Sequence, residues 1–528
     1  MLTAKDIIDK ESKASGIKKS WDSKYREIFD YIMPDRNGFD KPGNTANPYS
    51  DTRSQSFDST GEVAGDEFVA TMQEVLCPPY AGWIELEAGN SFPENERDDI
   101  NRELDRLSGL ANEYKNLSNF DVAFSEFCYD LIAGTACMLV HAGSLTSPLV
   151  FRAIPLNEYC LEEGRDGEVR GVFRTFSMRK ELVRHQWREL KDMAVSEAEG
   201  KDKMEIIECV YKDYDEDIYY YYVVDKKKAG VLLTRKSKTN PFVVLRWNKA
   251  AGEPYGRGVG MKALNDIKSL NKIMEYSLRA FAFNCPPLLV QEDAMLDPDD
   301  FELTPFALNP VPDTQTSIQP LNIQTNHNVE SYKIDQMRLG IKQSMMGNTL
   351  PPDSQYSART AYEVSERMNM LRRNLSSVFG RLIGEFVLPL VRRLFEVLID
   401  FRFVEKEFNV SQIDGVIFKI KVNTQLSKQL KASEAQSIIN SLMMLTQLDP
   451  SLQIVNQVLK YDEVMAYLMD IMGIPGVFIR TPDEIKQIRE QQVEAQQQQM
   501  AQAIEADVQA DNAKAMGKAI ARRAEKQP

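Results

Sequence analysis

From Ala361 to Leu398 apolar residues recur at steps of three or four, through Val364, Met368, Leu371, Leu375, Val378, Leu382, Phe386, Leu390 and Leu394. A run of almost forty residues with one period predicts a single very long helix, and the rest of the fold has to be built around it. Pro389 lies inside the run, with Gly380 and Gly384 just before it. A proline there removes a backbone donor and clashes with the preceding turn, so a kink is expected. Directly upstream, residues 347–360 read GNTLPPDSQYSART, a polar stretch without period that predicts a loop between two helical segments.

The other periodic segments divide the chain. Ile7, Ile8, Ile17, Trp21, Tyr25, Ile28, Phe29 and Ile32 predict a helix from Ala4 to Met33, ended by Pro34. Further helical groups run from Ser59 to Leu76 and from Asn95 to Ala133, separated by CPPYAGWIELEAG. Between Leu149 and Trp247 the period changes to two, and LVFRAI, VRGVFRTF, MEIIECVY, IYYYYVV and FVVLRW read as strands, with Asp166-Gly167 as a hairpin signal. The helical piece SMRKELVRHQWREL lies between these strands, which makes this block α+β.

A helix is then predicted from Val259 to Asn284, stopped by Pro286-Pro287, and a shorter one from about Asn328 to Met346. The proline-rich residues 286–326 between them form a small separate module containing the strand-like PLLVQED. Residues 426–478 read as several short helices, and Thr481-Pro482-Asp483-Glu484 opens a glutamine-rich helix. The fold class is α+β and mainly helical. A length of 528 residues exceeds a single core.

Charge and composition exclude several classes of function. Lys and Arg minus Asp and Glu gives 64 − 78 = −14, which argues against a diffuse nucleic-acid binder. The longest uncharged apolar run, LIAGTACMLV, is about half a bilayer span, so no membrane segment is expected. Six cysteines without a CxxC pair, and three histidines, predict neither zinc nor any other cofactor. Cys137 and His141, four apart on an expected helix, lack two further ligands and read as ordinary structural residues. GRGVGMK lacks the P-loop spacing and reads as a flexible lead into a helix. KDYDED lacks the glycine and closing glutamate of a calcium loop and reads as a solvated turn. The tyrosines from Tyr219 to Tyr222 read as strand residues facing alternate sides rather than as a base-stacking platform. No catalytic constellation stands out, and an enzyme is not expected.

Charge placement is more informative. The two helices before the loop are locally basic, with Lys268, Lys272 and Arg279 on the first and Lys333, Arg338 and Lys342 on the second. Glu275 shares the face of the first three and is placed to pair with Arg279. Two readings stand equal here: a solvated face with internal ion pairs, or a weak DNA-facing surface.

Three segments carry a family likeness: GEPYGRGVGMKALNDIKSLN, SARTAYEVSERMNMLRRNLSSVFGRLIGEFVLPLVRRLFEVL and YDEVMAYLMDIMGIPGVFIRTPDEIKQIREQQ. In the middle one, Thr360, Glu363, Val364, Arg367, Leu388, Pro389 and Leu390 are the most specific. The chain resembles the portal, or head-to-tail connector, proteins of short-tailed, T7-like bacteriophages over nearly its whole length. The resemblance implies a homo-oligomeric ring, usually a dodecamer, at one capsid vertex of the virion, with double-stranded DNA passing through its centre. It implies a wing over 1–255, stem helices over 256–285 and 327–346, and a clip over 286–326. A channel loop over 347–358, a long kinked helix and wing return over 359–425, and a crown with a C-terminal barrel over 426–528 complete the portal fold.

By the same resemblance Asn348, Thr349, Leu350, Pro351, Pro352, Asp353, Ser354, Gln355 and Tyr356 form the channel loop, and the six basic residues named above face the lumen. The implied partners are the terminase large subunit, tail adaptor or nozzle proteins, the major capsid protein, scaffolding protein and internal core proteins, with assembly in the host cytoplasm. A helical scaffold without a channel is the alternative, but it leaves the β block and the proline-rich insertion unexplained. A metal-dependent nuclease would need clustered carboxylates, and none stands out.

Overall fold

The computed structural model describes residues 2–34, 56–187 apart from 81 and 90, 190, 203–283, 288–291, 308–311, 327–346, 378–404, 413, 417–422 and eight scattered positions between 438 and 468. The chain divides into two units, Met1–Leu426 and Ser427–Pro528. In the second, Leu468 packs with Ile438, Ile439 and Val464.

The first unit opens with helix α1, Ala4–Ile32. Thr3 and Asp6 cap it reciprocally: the Thr3 hydroxyl accepts from the Asp6 N–H, and the Thr3 N–H donates to the Asp6 carboxylate. Helices α2, Thr60–Leu76, α3, Glu94–Asn116, and α4, Phe120–Ala133, follow. The stretch between α2 and α3 holds a strand, β1, Ile84–Ala88.

The β block comprises strands β2, Thr135–Ala142, β3, Leu149–Ile154, β4, Tyr159–Glu163, β5, Val169–Arg179, β6, Lys203–Asp213, β7, Ile218–Asp225, β8, Gly230–Ser237, and β9, Phe242–Arg246, of which β3, β5, β6, β7 and β9 are the five expected and β2, β4 and β8 are additional. Helix α5, Lys180–Gln186, sits between β5 and β6. Two sheets result, a three-stranded one in the order β3-β2-β9 and a five-stranded antiparallel one in the order β4-β5-β6-β7-β8. Asp166-Gly167 lies in the β4–β5 hairpin, where Gly167 has φ +81°. Cys137 and His141 lie on β2, not on a helix: a run of buried residues from Thr135 to Val140 fits a central strand as well as a helix, and pairing on both sides decides it.

Strands β4 to β7 of the five-stranded sheet have buried residues on both faces, and the side-chain period of two sorts them. Ile207, Cys209, Tyr211, Tyr220, Tyr222 and Val224 pack with Ala4, Ile7 and Ala14 of α1. Ile206, Val210, Tyr221 and Val223 face the main core on the other side. The tyrosine run is thus core on both faces, with Tyr220 and Tyr222 stacked at 6.0 Å. Buried Glu208 accepts from Tyr221 at 2.6 Å and from Arg174 at 3.1 Å, so its charge is paired inside the protein. The five described cysteines are all free and buried.

Helix α6, Val259–Phe283, and helix α7, His327–Ser344, match the two helices expected around the proline-rich module. Within that module β10, Leu288–Gln291, and β11, Leu308–Val311, pair in parallel. Of the long helix, residues 378–400 are described. They include a π-helical turn, Leu382–Val387, followed by helix α8, Leu388–Asp400, with Pro389 in its first turn. The π turn frees backbone groups just ahead of the proline, which lacks an N–H to donate. Gly380 and Gly384 are exposed. Glu385, within the turn, accepts from the Arg246 N–H at 3.0 Å and from its guanidinium at 2.7 Å, at the end of β9. Glu396 of α8 accepts from the Lys238 N–H at 2.8 Å, the Thr239 N–H at 3.2 Å and Arg393 at 2.8 Å. Burial raises the Glu396 pKa, but Arg393 and these donors outweigh it and hold it below the usual carboxylate range. Strand β12, Phe418–Val422, pairs antiparallel with β1.

GRGVGMK is not a flexible lead. A Cβ on Gly258 would meet Ala133 backbone carbon at 2.6 Å and collide with the Ile132 carbonyl, and one on Gly256 would meet the Trp247 nitrogen at 2.7 Å. Three backbone segments, the end of α4, the end of β9 and the start of α6, touch here without side chains between them. Trp247 N–H donates to the Gly134 carbonyl at 2.8 Å, and Gly256 N–H to the Thr135 hydroxyl at 2.8 Å. Gly258→Ala should therefore destabilise the protein by about 1–3 kcal/mol, because backbone rather than a movable side chain meets the new methyl. Gly340→Ala, in open space on α7, should stabilise by about 0.5–1 kcal/mol. Thermal melts of the two variants check both signs.

Candidate functional site

The feature that leaves the core is the α6–α7 pair. Ala263, Leu264, Ile267 and Leu270 of α6 are buried, whereas Tyr276, Leu278, Arg279 and Ala280 are exposed. In α7 the order reverses: Lys333, Asp335 and Gln336 are exposed and Ile341 is buried, as is Met345 just beyond. The chain runs along α6 away from its buried positions and returns along α7 toward them, so the described buried contacts of the hairpin gather at one end, its base.

The base is tied by a strap and by ion pairs. Phe57 N–H donates to Asn271 of α6 at 2.6 Å. Asp58, with its side chain 5% exposed, accepts from Arg338 of α7 at 2.8 Å and from the Thr60 N–H at 2.8 Å. Burial raises the Asp58 pKa, and the Thr60 and Arg338 donors outweigh it, leaving it below its usual value. Lys342 reaches Glu67 of α2 at 3.4 Å, and Lys268 reaches Glu27 of α1 at 3.2 Å. Further out, Lys272 and Arg279 both pair with Glu275, at 2.7 and 2.6 Å. Lys333 is exposed.

Five of the six basic residues expected to face a lumen are thus held by carboxylates, three of them by residues of α1, α2 and the strap. The side chains from 348 to 356, expected as a channel loop, lie outside the described residues. Asp58 and Glu67 were missed in the sequence because their partners are 280 and 275 positions away. No group of metal-ligating residues occurs among the described residues, and no described helix is long and apolar enough to cross a membrane.

A family model described as bacteriophage head to tail connecting protein matches residues 4–479. The chain belongs to that family. The curated "Probable portal protein" of Bordetella phage BPP-1 is 22% identical to this connector over 533 residues, covering 91% of this chain and 89% of the relative. Among solved structures, the virion of a native gene transfer agent particle matches with a TM-score of 0.35 and 10% identity, over 84% of the connector chain and 98% of that chain. The neck of the native particle, computed with C12 symmetry, matches with a TM-score of 0.33 and 12% identity, over 80% and 93%.

The sign of the pH effect at the hairpin base follows from Asp58. Its folded pKa is depressed, so the stability it contributes is present above the usual carboxylate pKa and is lost as pH falls through the lower folded value. Arg338→Ala should cost roughly 1 kcal/mol at neutral pH, since Arg338 is part-exposed and the pair is screened. The difference from wild type should shrink in urea melts below about pH 4, as Asp58 protonates in both.

Proposed function

We propose that copies of this chain close into a ring, a dodecamer by family resemblance, at one capsid vertex of a short-tailed phage, and that double-stranded DNA enters and leaves through its centre. The observation that carries this reading is the α6–α7 hairpin. A single copy leaves Tyr276, Leu278 and Leu339 at 57, 51 and 40% exposure on it. Contact with neighbouring copies would remove that apolar surface from water at roughly 25 cal/mol per Å². The family match over residues 4–479 supports the same conclusion.

In this reading the hairpin is the stem, residues 286–326 are the clip that meets the terminase large subunit and then the tail adaptor or nozzle proteins, and residues 348–356 line the channel. The wing meets the major capsid and scaffolding proteins, and internal core proteins sit above the crown. The chain is a conduit and not an enzyme, with the packaging motor in the terminase. The charge of −14 suits passage, because each phosphate neutralised by a fixed cation adds affinity that resists sliding. The pairing of Lys272 and Arg279 with Glu275 weakens any phosphate clamp on the outer half of α6 in the same way.

Negative-stain images of the purified chain should show rings with a central hole; monomers or rods at high concentration would overturn the proposal. Alanine at Lys272 and Arg279 should leave the rings intact and change DNA retention in packaged particles. Loss of the rings would instead put these side chains in subunit contacts.

A further inference from the structure

The five-stranded sheet ends in an edge that no described strand covers. Strand β8 pairs with β7 alone, and none of its eight residues is buried, whereas six of the eight in β7 are. An edge of this kind presents a row of backbone donors and acceptors with no partner strand. Its last residues turn toward α8, where Ser237 and Lys238 bond Glu396, whereas the backbone from Gly230 to Thr234 pairs with β7 and with no other strand among the described residues.

The same edge is the reverse of the chain in charge. Residues 226–238 carry Lys226, Lys227, Lys228, Arg235, Lys236 and Lys238 and no acid, so the remaining residues hold 58 basic and 78 acidic groups, a balance of −20. Lys226 is drawn to Glu11 and Glu205, and Lys236 to Glu216. Lys227 and Lys228, in the β7–β8 turn, are exposed, and among the described residues the bonds they make are from their backbone N–H groups to Asp225.

We propose that the β8 edge is an interaction surface for a second copy of this chain, which adds an extended segment to the edge and brings acidic side chains to the β7–β8 turn. This rests on the ring reading above. Copies that each carry −14 repel one another at long range, and a locally positive surface on each favours closing them side by side. A strand edge matches an extended polypeptide, which satisfies donors and acceptors in alternation, better than DNA, which offers phosphate acceptors and no matching ladder of donors.

The test uses the full chain, comparing rings with any monomeric fraction by hydrogen exchange, and the variant Lys227→Glu/Lys228→Glu by light scattering and negative stain. Amides of 230–236 should exchange at least about tenfold more slowly in the ring than in the monomer. The double variant should shift the population toward monomers while its far-UV circular dichroism and melting stay those of wild type. Rings whose β8 amides exchange as fast as in the monomer, or a variant that closes rings as readily as wild type, would overturn the inference and leave the ring standing. Absence of rings in the wild type would instead remove the ring reading itself.

Discussion

The direct contact of backbone with backbone at Gly134, Gly256 and Gly258 is the constraint on which the arrangement of the first unit depends. No side chain separates the end of α4, the end of β9 and the start of α6, so the direction in which α6 leaves the sheets is fixed by atoms that have no rotamers to change. Gly134 also has φ +122°, a backbone geometry that a side chain would strain. Around this point the aromatic rings of Trp21, Tyr25 and Tyr255 pack at about 6 Å from one another, holding α1 against the same junction. The hairpin therefore projects from a rigid joint, and its base is held a second time by the strap at Phe57 and Asp58.

What could be read from the sequence follows from how local the cause is. Helix α1 and the α6–α7 pair were legible because a helix announces itself in its own spacing, and β5, β6 and β7 of the five-stranded sheet because their alternation serves two cores at once, whereas β4 and β8 of the same sheet were not read as strands. Strand β1 was not legible: IELEA is short, and it becomes a strand by pairing with Phe418–Val422, more than three hundred positions away. The glycines of GRGVGMK were visible but misread, since flexibility and close approach leave the same residue type in a sequence and only the neighbouring backbone tells them apart. Cys137 and His141 were misplaced for a related reason, a continuous buried run having no period to read.

The candidate site was legible in position but not in electrostatics. The sequence placed Lys268, Arg338 and Lys342 on two basic helices, but their carboxylate partners Glu27, Asp58 and Glu67 come from segments far away along the chain. Once paired, these cations serve the attachment of the hairpin. A surface that counts as basic along the sequence is therefore largely paired in the fold, with a carboxylate on five of the six cations.

The same reasoning separates the hairpin from the β8 edge. On the hairpin, cations pair within the chain and the exposed material is apolar, at Tyr276, Leu278 and Leu339. At the β8 edge Lys227 and Lys228 stay in solvent beside a strand with an open side. Apolar surface drives association wherever it is covered, without regard to register, whereas a strand edge with fixed charges accepts one alignment and resists others. The two features lie on separate elements of one unit, and the glycine joint sets α6 against β9 of the three-stranded sheet rather than against the sheet that ends in β8.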